Sequence, residues 1–228
     1  MLRRKAVRPE TLELLIKLMQ DKQLTDFVLV GGTALALQIE HRDSIDLDLF
    51  TKNPFNEGNL STYLTETYGF QMSFSDKNTL KGEIAGVKVD LITHNYPNVK
   101  DDILVEGVRM ASLQDISAMK LNAIIGSGER IKDFIDVAYL SSILSLKDMQ
   151  DAFTKKYPTS NPIIIHKAIT FHQDINFKEP IKMIEGRLKW PLIEKRINNM
   201  VDSPSKVFPL LDMTDKKKDI SNGSNLKL

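Results

Sequence analysis

The chain has 228 residues, 42% of them hydrophobic and 27% charged, and a net charge of +1. That length can bury a substantial core, most simply as two small domains packed together, and the ordinary composition excludes disordered, fibrous and collagen-like classes. Cysteine is absent, which excludes disulfide frameworks, thiolate metal sites and thiol nucleophiles and leaves any chemistry to oxygen and nitrogen groups.

The first residues, Met1-Leu2-Arg3-Arg4-Lys5, are followed by Arg8 and Glu10 rather than by an apolar run. A signal peptide is therefore not expected, nor is a membrane span anywhere in the chain, and the expected compartment is the cytoplasm. Residues 1–111 carry 13 basic against 16 acidic side chains, and residues 112–228 carry 18 against 14. An acidic half that holds cations beside a basic half that touches phosphates would show this bias, although it is small.

Leu12, Leu15, Ile16 and Met19 recur at helical spacing after Pro9, so a helix is predicted from Pro9 to about Lys22. Phe27 to Val30 reads as a short strand ending in Gly31-Gly32, after which Thr-Ala-Leu-Ala-Leu-Gln reads as a helix. Ile45, Leu47 and Leu49 alternate with Asp46, Asp48 and Phe50, the period-2 pattern of a strand with two unlike faces. A helix over Glu57–Thr67 precedes three predicted strands, Gln71–Ser75, Leu80–Ile84 and Val87–Thr93, with Ala85-Gly86 as a tight turn.

From Ser112 to about Lys156 nearly everything reads as helix, with capping patterns at Ser112/Asp115 and Ser145/Asp148. Further helices are expected over Pro162–His172 and Pro191–Met200, and a disordered tail over residues 214–228. The outline is an α+β chain: a small mixed-sheet domain at residues 1–111, a helical domain at 112–213 that completes a cleft, and the tail.

Asp46 and Asp48, two apart on a strand, project from one face while Leu47 and Leu49 enter the core. Adjacent carboxylates that stay ionised call for a cation, and magnesium takes one or two carboxylates together with phosphate oxygens and water. A lone Asp-x-Asp is more often a solvated strand edge; its surroundings decide. Gly31, Gly32 and Thr33 lie between a strand and a helix, where bare backbone N–H groups and the helix N-terminus suit a phosphate. Asp90, set among Val87, Val89, Leu91 and Ile92, is an acid in an apolar strand and wants a partner. Three carboxylates on neighbouring strands suit two magnesium ions roughly 4 Å apart.

The run from Gly31 to Phe50, Gly-Gly-Thr-Ala-Leu-Ala-Leu-x-x-x-His-Arg-x-Ser-x-Asp-Leu-Asp-Leu-Phe, resembles the signature of AbiEii-type nucleotidyltransferases. These are the toxin halves of type IV toxin–antitoxin systems, within the polymerase-beta-like superfamily. Asp115-Ile-Ser-Ala-Met-Lys120-Leu-Asn-Ala and Lys132-Asp133-Phe-Ile-Asp136 resemble the family's next two motifs, and the likeness extends from Phe27 to about Met200.

The resemblance implies a sheet bearing the three acids, packed against a helical domain with the nucleotide between them. It implies that Lys120 contacts the triphosphate, and that Asp133 or Asp136 orients Lys120 or assists the acceptor. Arg42 and Ser44 match the pattern as phosphate or acceptor contacts, although Arg42 could instead pair with Asp43 at the surface; His41 is expected to pack or hydrogen-bond. Relatives often carry a basic residue where this chain has Ser127 between Gly126 and Gly128, and Arg130 is the candidate substitute. The implied co-substrate is an NTP, the implied acceptor is RNA such as a tRNA 3′ end, and the implied partner is an antitoxin. The alternatives are a nonenzymatic nucleotide- or metal-binding module and a metal-dependent nuclease; a triphosphate cradle favours the transferase over both.

Overall fold

The computed structural model describes residues 1–214. Apart from Thr214, the expected tail lies outside the described residues. The chain folds as α1 (Pro9–Gln20), β1 (Val28–Leu29), α2 (Gly31–Ile39), β2 (Leu47–Thr51), α3 (Glu57–Tyr68), β3 (Gln71–Asp76), β4 (Thr79–Ile84) and β5 (Val87–Thr93). There follow β6 (Ile103–Val105), β7 (Val108–Met110), α4 (Leu113–Gly126), α5 (Ile131–Leu140), α6 (Leu146–Lys156), α7 (Ile164–Thr170) and α8 (Trp190–Asp202).

The strands form one mixed sheet in the order β3-β4-β5-β2-β1-β7-β6. β2 runs parallel to β5 and antiparallel to β1, and the register places Asp48 opposite Asp90. Burial enforces that register. Leu29, Leu47, Leu49, Val89, Leu91 and Met110 are all fully buried, each aliphatic chain contributing roughly 1.5–3 kcal/mol on leaving water. Slipping β2 by one residue would expose its leucines and bury its acids, so hydrophobic burial alone fixes which face carries the carboxylates.

Local chemistry sets the ends of the elements. Ser145 and Asp148 form a full capping box on α6, and Ser112 caps α4 by accepting the Asp115 N–H at 3.1 Å. Asp115 does more than cap: it is buried, accepts the N–H groups of Val99 and Lys100, and receives Lys156 Nζ at 2.8 Å, which ties α4 to α6 and to the loop before β6. Ala85 and Gly86, both at positive φ, make the β4–β5 turn.

The β6–β7 hairpin, turning at Glu106-Gly107 with positive φ at both residues, was not expected from the sequence. Three-residue strands are too short for alternation to register. Among the described residues the strands all end by Met110, and α2 packs on β2 and then on α4 and α5. One buried cluster runs continuously from Leu2 to Met213 through sheet and helices.

Candidate active site

Gly31 opens α2 at φ +68° without a side-chain cap, so the first N–H groups of the helix are left for another acceptor. Glycine is required here for a second reason: a Cβ at Gly31 would overlap Asp48 Oδ2, and one at Gly32 would come within 2.5 Å of Arg42 Nη2 and 3.1 Å of Ser44 Oγ. The turn thus lets the helix N-terminus, a carboxylate and a guanidinium meet. Thr33 Oγ1 donates to the Asp46 carbonyl at 2.5 Å and lies 2.9 Å from Ser44 Oγ, pinning the turn to the start of the diacid strand. Gly31→Ala is expected to cost about 1–3 kcal/mol from the left-handed backbone alone, and to displace Asp48 with loss of activity. Thermal melts beside activity assays check this, and an active variant melting like wild type would contradict it.

Asp46, Asp48 and Asp90 stand on one face of the sheet. Burial pushes the Asp48 carboxyl above the usual carboxylate range; Lys120 opposes the shift, and Asp90 and Asp46 add to it. Asp48 has no hydrogen-bond donor among the described residues, whereas Asp90 lies 3.1 Å from Lys81 Nζ. The three acids do not form a closed cage: among the described residues no three His, Asp or Glu groups are gathered as a ready metal centre. The donor chemistry still fits a hard cation, since a half-buried carboxylate short of donors beside two others suits an ion that keeps water and phosphate ligands.

Beneath this face lies a charged network. Asp136, fully buried on α5, accepts Arg42 Nε at 2.7 Å and Nη2 at 2.8 Å, His41 Nε2 at 2.7 Å and Lys120 Nζ at 2.7 Å. Lys120 also donates to Asp133 at 2.6 Å. Burial opposes the ionised form of Asp136, but Arg42, Lys120 and His41 together hold its pKa well below the carboxylate range. Burial lowers the His41 pKa against the pull of Asp136, so a neutral imidazole donates through Nε2 and leaves Nδ1 as a buried nitrogen without a partner.

The sequence placed Arg42 either on a phosphate or beside Asp43, and Lys120 on the triphosphate. In the structure Arg42 is buried in the Asp136 fork, while Asp43 pairs instead with Lys182 at 2.7 Å. Lys120 is buried between two carboxylates. Its reach is electrostatic, since after burial its charge is the largest influence on Asp48.

The acids open onto two lobes of a cleft. One, of about 590 Å³, is lined by Asp46, Asp48, Asp90, Lys81, Lys88 and Arg130. The other, of about 230 Å³, holds Gly32 and Ser44 with the cations Arg8, Arg130, Lys132 and Lys182. Arg130, the candidate substitute for a basic residue in the preceding turn, lines both lobes beside Asp46 and Asp48. Arg8 and Lys182 were not foreseen, because they are remote in sequence and only the fold brings them together.

A sheet with paired strand acids beside a glycine turn that opens a helix defines the nucleotidyltransferase class. The fold is shared with MenT4, a nucleotidyltransferase toxin of Mycobacterium tuberculosis, at a TM-score of 0.57 and 14% identity, covering 85% of this chain and 84% of that one. A candidate nucleotidyltransferase from H. pylori superposes at a TM-score of 0.51 and 15% identity, over 86% of this chain and 94% of that one. An uncharacterized protein of Aquifex aeolicus is 31% identical over 176 residues, covering 74% of this chain and 84% of that protein. Residues 13–208 match the AbiEii family, the nucleotidyl transferase toxins of type IV toxin–antitoxin systems. This chain belongs to that family and is a nucleotidyltransferase enzyme. No helix among the described residues is long and apolar enough to cross a membrane.

Proposed function

We propose that the protein moves a nucleoside monophosphate from an NTP to a hydroxyl of RNA, with a tRNA 3′ end as the leading acceptor, and that an antitoxin protein restrains it in the cytoplasm. The observation that carries this reading is the in-register placement of Asp48 opposite Asp90, beside a helix N-terminus that has no side-chain cap among the described residues. Asp46, Asp48 and Asp90 would hold two magnesium ions, which when bound supply charge neutralisation at the phosphates and activation of the attacking hydroxyl.

The residues of this chain do the rest. Gly31, Gly32 and the opening N–H groups of α2 receive the triphosphate, with Ser44 and Arg130 at its side. The acceptor oxygen forms a bond to the α-phosphorus, the bond from that phosphorus to the bridging oxygen breaks, and pyrophosphate leaves. Asp90 takes the hydroxyl proton. Arg42 and Lys120, neutralised from below by Asp136 and Asp133, fix the floor of the site, and Lys120 opposes the charge of Asp48.

Asp90→Asn is expected to keep most NTP affinity and lose roughly 10²–10⁴-fold in single-turnover transfer, the range of a lost general base. Calorimetry with Mg-NTP beside rapid-quench transfer checks this, and loss of NTP binding in a variant that melts like wild type would place Asp90 on the triphosphate side instead. Incubation of the protein with each labelled NTP, magnesium and total cellular RNA tests the acceptor. Label on small RNAs is expected; label confined to protein would exclude the RNA reading.

A further inference from the structure

The sheet face that carries the catalytic acids continues past them. Phe50 follows Asp48 by two residues, so it projects to the same side roughly 7 Å further along the strand. Val28 pairs with Phe50, and Val30 donates its N–H to the Asp48 carbonyl, which places both valines on that face. Met119 of α4 lines a cavity with Val28, Val30, Phe50 and His94, so the strand leads from the acids into this space.

That space measures about 220 Å³, the liquid volume of about seven waters, which suits one heteroaromatic ring system and not a whole triphosphate. One wall is apolar or aromatic, and the other carries Asp26, Lys52, Asn53 and the Asp115–Lys156 pair. His94 stacks at 5.2 Å from Phe50 and meets Tyr157 Oη at 3.3 Å; burial and then the Lys156 charge push its pKa down to about 4, so at neutral pH it presents an uncharged ring. The rim is polar: Asp102 lines it beside Asn98, Lys52 and Asn53, its carboxyl pushed above the usual range by burial and by Asp115. An apolar, aromatic wall facing fixed polar groups is the pattern of a small-ligand subsite.

We propose that this cavity receives the nucleobase of the NTP, held between Phe50, His94 and Met119, and that Asp102 selects bases carrying an exocyclic amino group over uracil. The inference rests on the transferase reading above. A carboxylate only accepts hydrogen bonds when ionised, and the amino groups of cytosine, adenine and guanine donate where uracil offers a carbonyl.

The test uses the full chain with magnesium, the four common NTPs, and inorganic tripolyphosphate as a base-free probe. Wild type is expected to bind at least one amino-bearing NTP about tenfold or more tightly than UTP, the size of one hydrogen bond to a charged group. Asp102→Asn should shrink that preference to a few-fold, because an amide donates as well as accepts. Met119→Trp should fill the cavity and weaken every NTP at least about tenfold, leaving tripolyphosphate affinity unchanged in both variants. Unchanged NTP affinities and ranking in both variants would overturn the proposal. So would an effect confined to the KM for acceptor RNA, which would give the cavity to the acceptor's terminal base. Failure of wild type to bind any NTP would instead sink the transferase reading, a separately recognisable result.

Discussion

Asp48→Asn is expected to reduce nucleotidyl transfer by roughly 10⁴-fold, equivalent to about 5 kcal/mol of lost transition-state stabilisation, while making the metal-free protein more stable. The carboxylate is half-buried beside Asp46 and Asp90, and its pKa is raised above the carboxylate range. A group whose folded pKa is raised is fully tolerated below its unfolded pKa, and its cost grows as pH climbs through the folded value. Once ionised, the wild-type carboxylate carries that cost and the amide carries none. The gain in melting temperature should therefore be full near pH 7.5 and fade in acid. Magnesium should reverse the order, since an ion present at a hundred times its Kd stabilises the protein that binds it by about 2.7 kcal/mol. Melting curves at two pH values, with and without magnesium, read all of this. A variant that transfers at near-wild-type rate would remove Asp48 from the chemistry.

Asp136→Ala is expected to have the largest effect on stability. It leaves the Arg42 guanidinium and the Lys120 ammonium buried without their shared acceptor and strands His41 Nε2. Breaking a buried ion pair from one side costs about 3–5 kcal/mol, which in a chain of this size lowers the melting temperature by roughly 6–20 °C. Asp133→Ala should cost less, because Lys120 then keeps Asp136. The pH dependence has the opposite sign to that of Asp48: a carboxylate held far below its unfolded pKa stabilises at neutral pH and loses that contribution only as pH falls through the folded value. A drop of only a degree or two in Asp136→Ala would show that solvent reaches the network and that Arg42 is not fixed from below.

Much of the acidic face was legible because strand alternation is a local property. Leu47 and Leu49 demanded a core, so Asp46 and Asp48 had to face away from it, and Asp90 stood out among β-branched neighbours. The placement of Asp90 opposite Asp48 was not legible, because it depends on the parallel register of two strands separated by a helix and two further strands. The same limit hid the Asp136 network: the 3.6-residue period puts Asp133 and Asp136 on one face of α5, but only the packing of α5 against α4 and α2 brings them to Lys120 and Arg42. Nothing local distinguishes a buried arginine from a surface one, so Arg42 was offered a phosphate or Asp43 and took neither as its main partner. Asp115 illustrates the converse. Its capping signature was readable, whereas its tie to Lys156, 41 residues on, was not.

The most direct test of the central claim is a parallel incubation of the protein with α-labelled and γ-labelled NTP, magnesium and RNA, for wild type and Asp48→Asn. The account predicts that wild type places the α label on RNA of undiminished length, releases the γ label as pyrophosphate in equal amount, and that the variant does neither. Shortened RNA without label would identify a nuclease, transfer of the γ label would identify a kinase, and equal labelling by the variant would contradict the assignment of the acids.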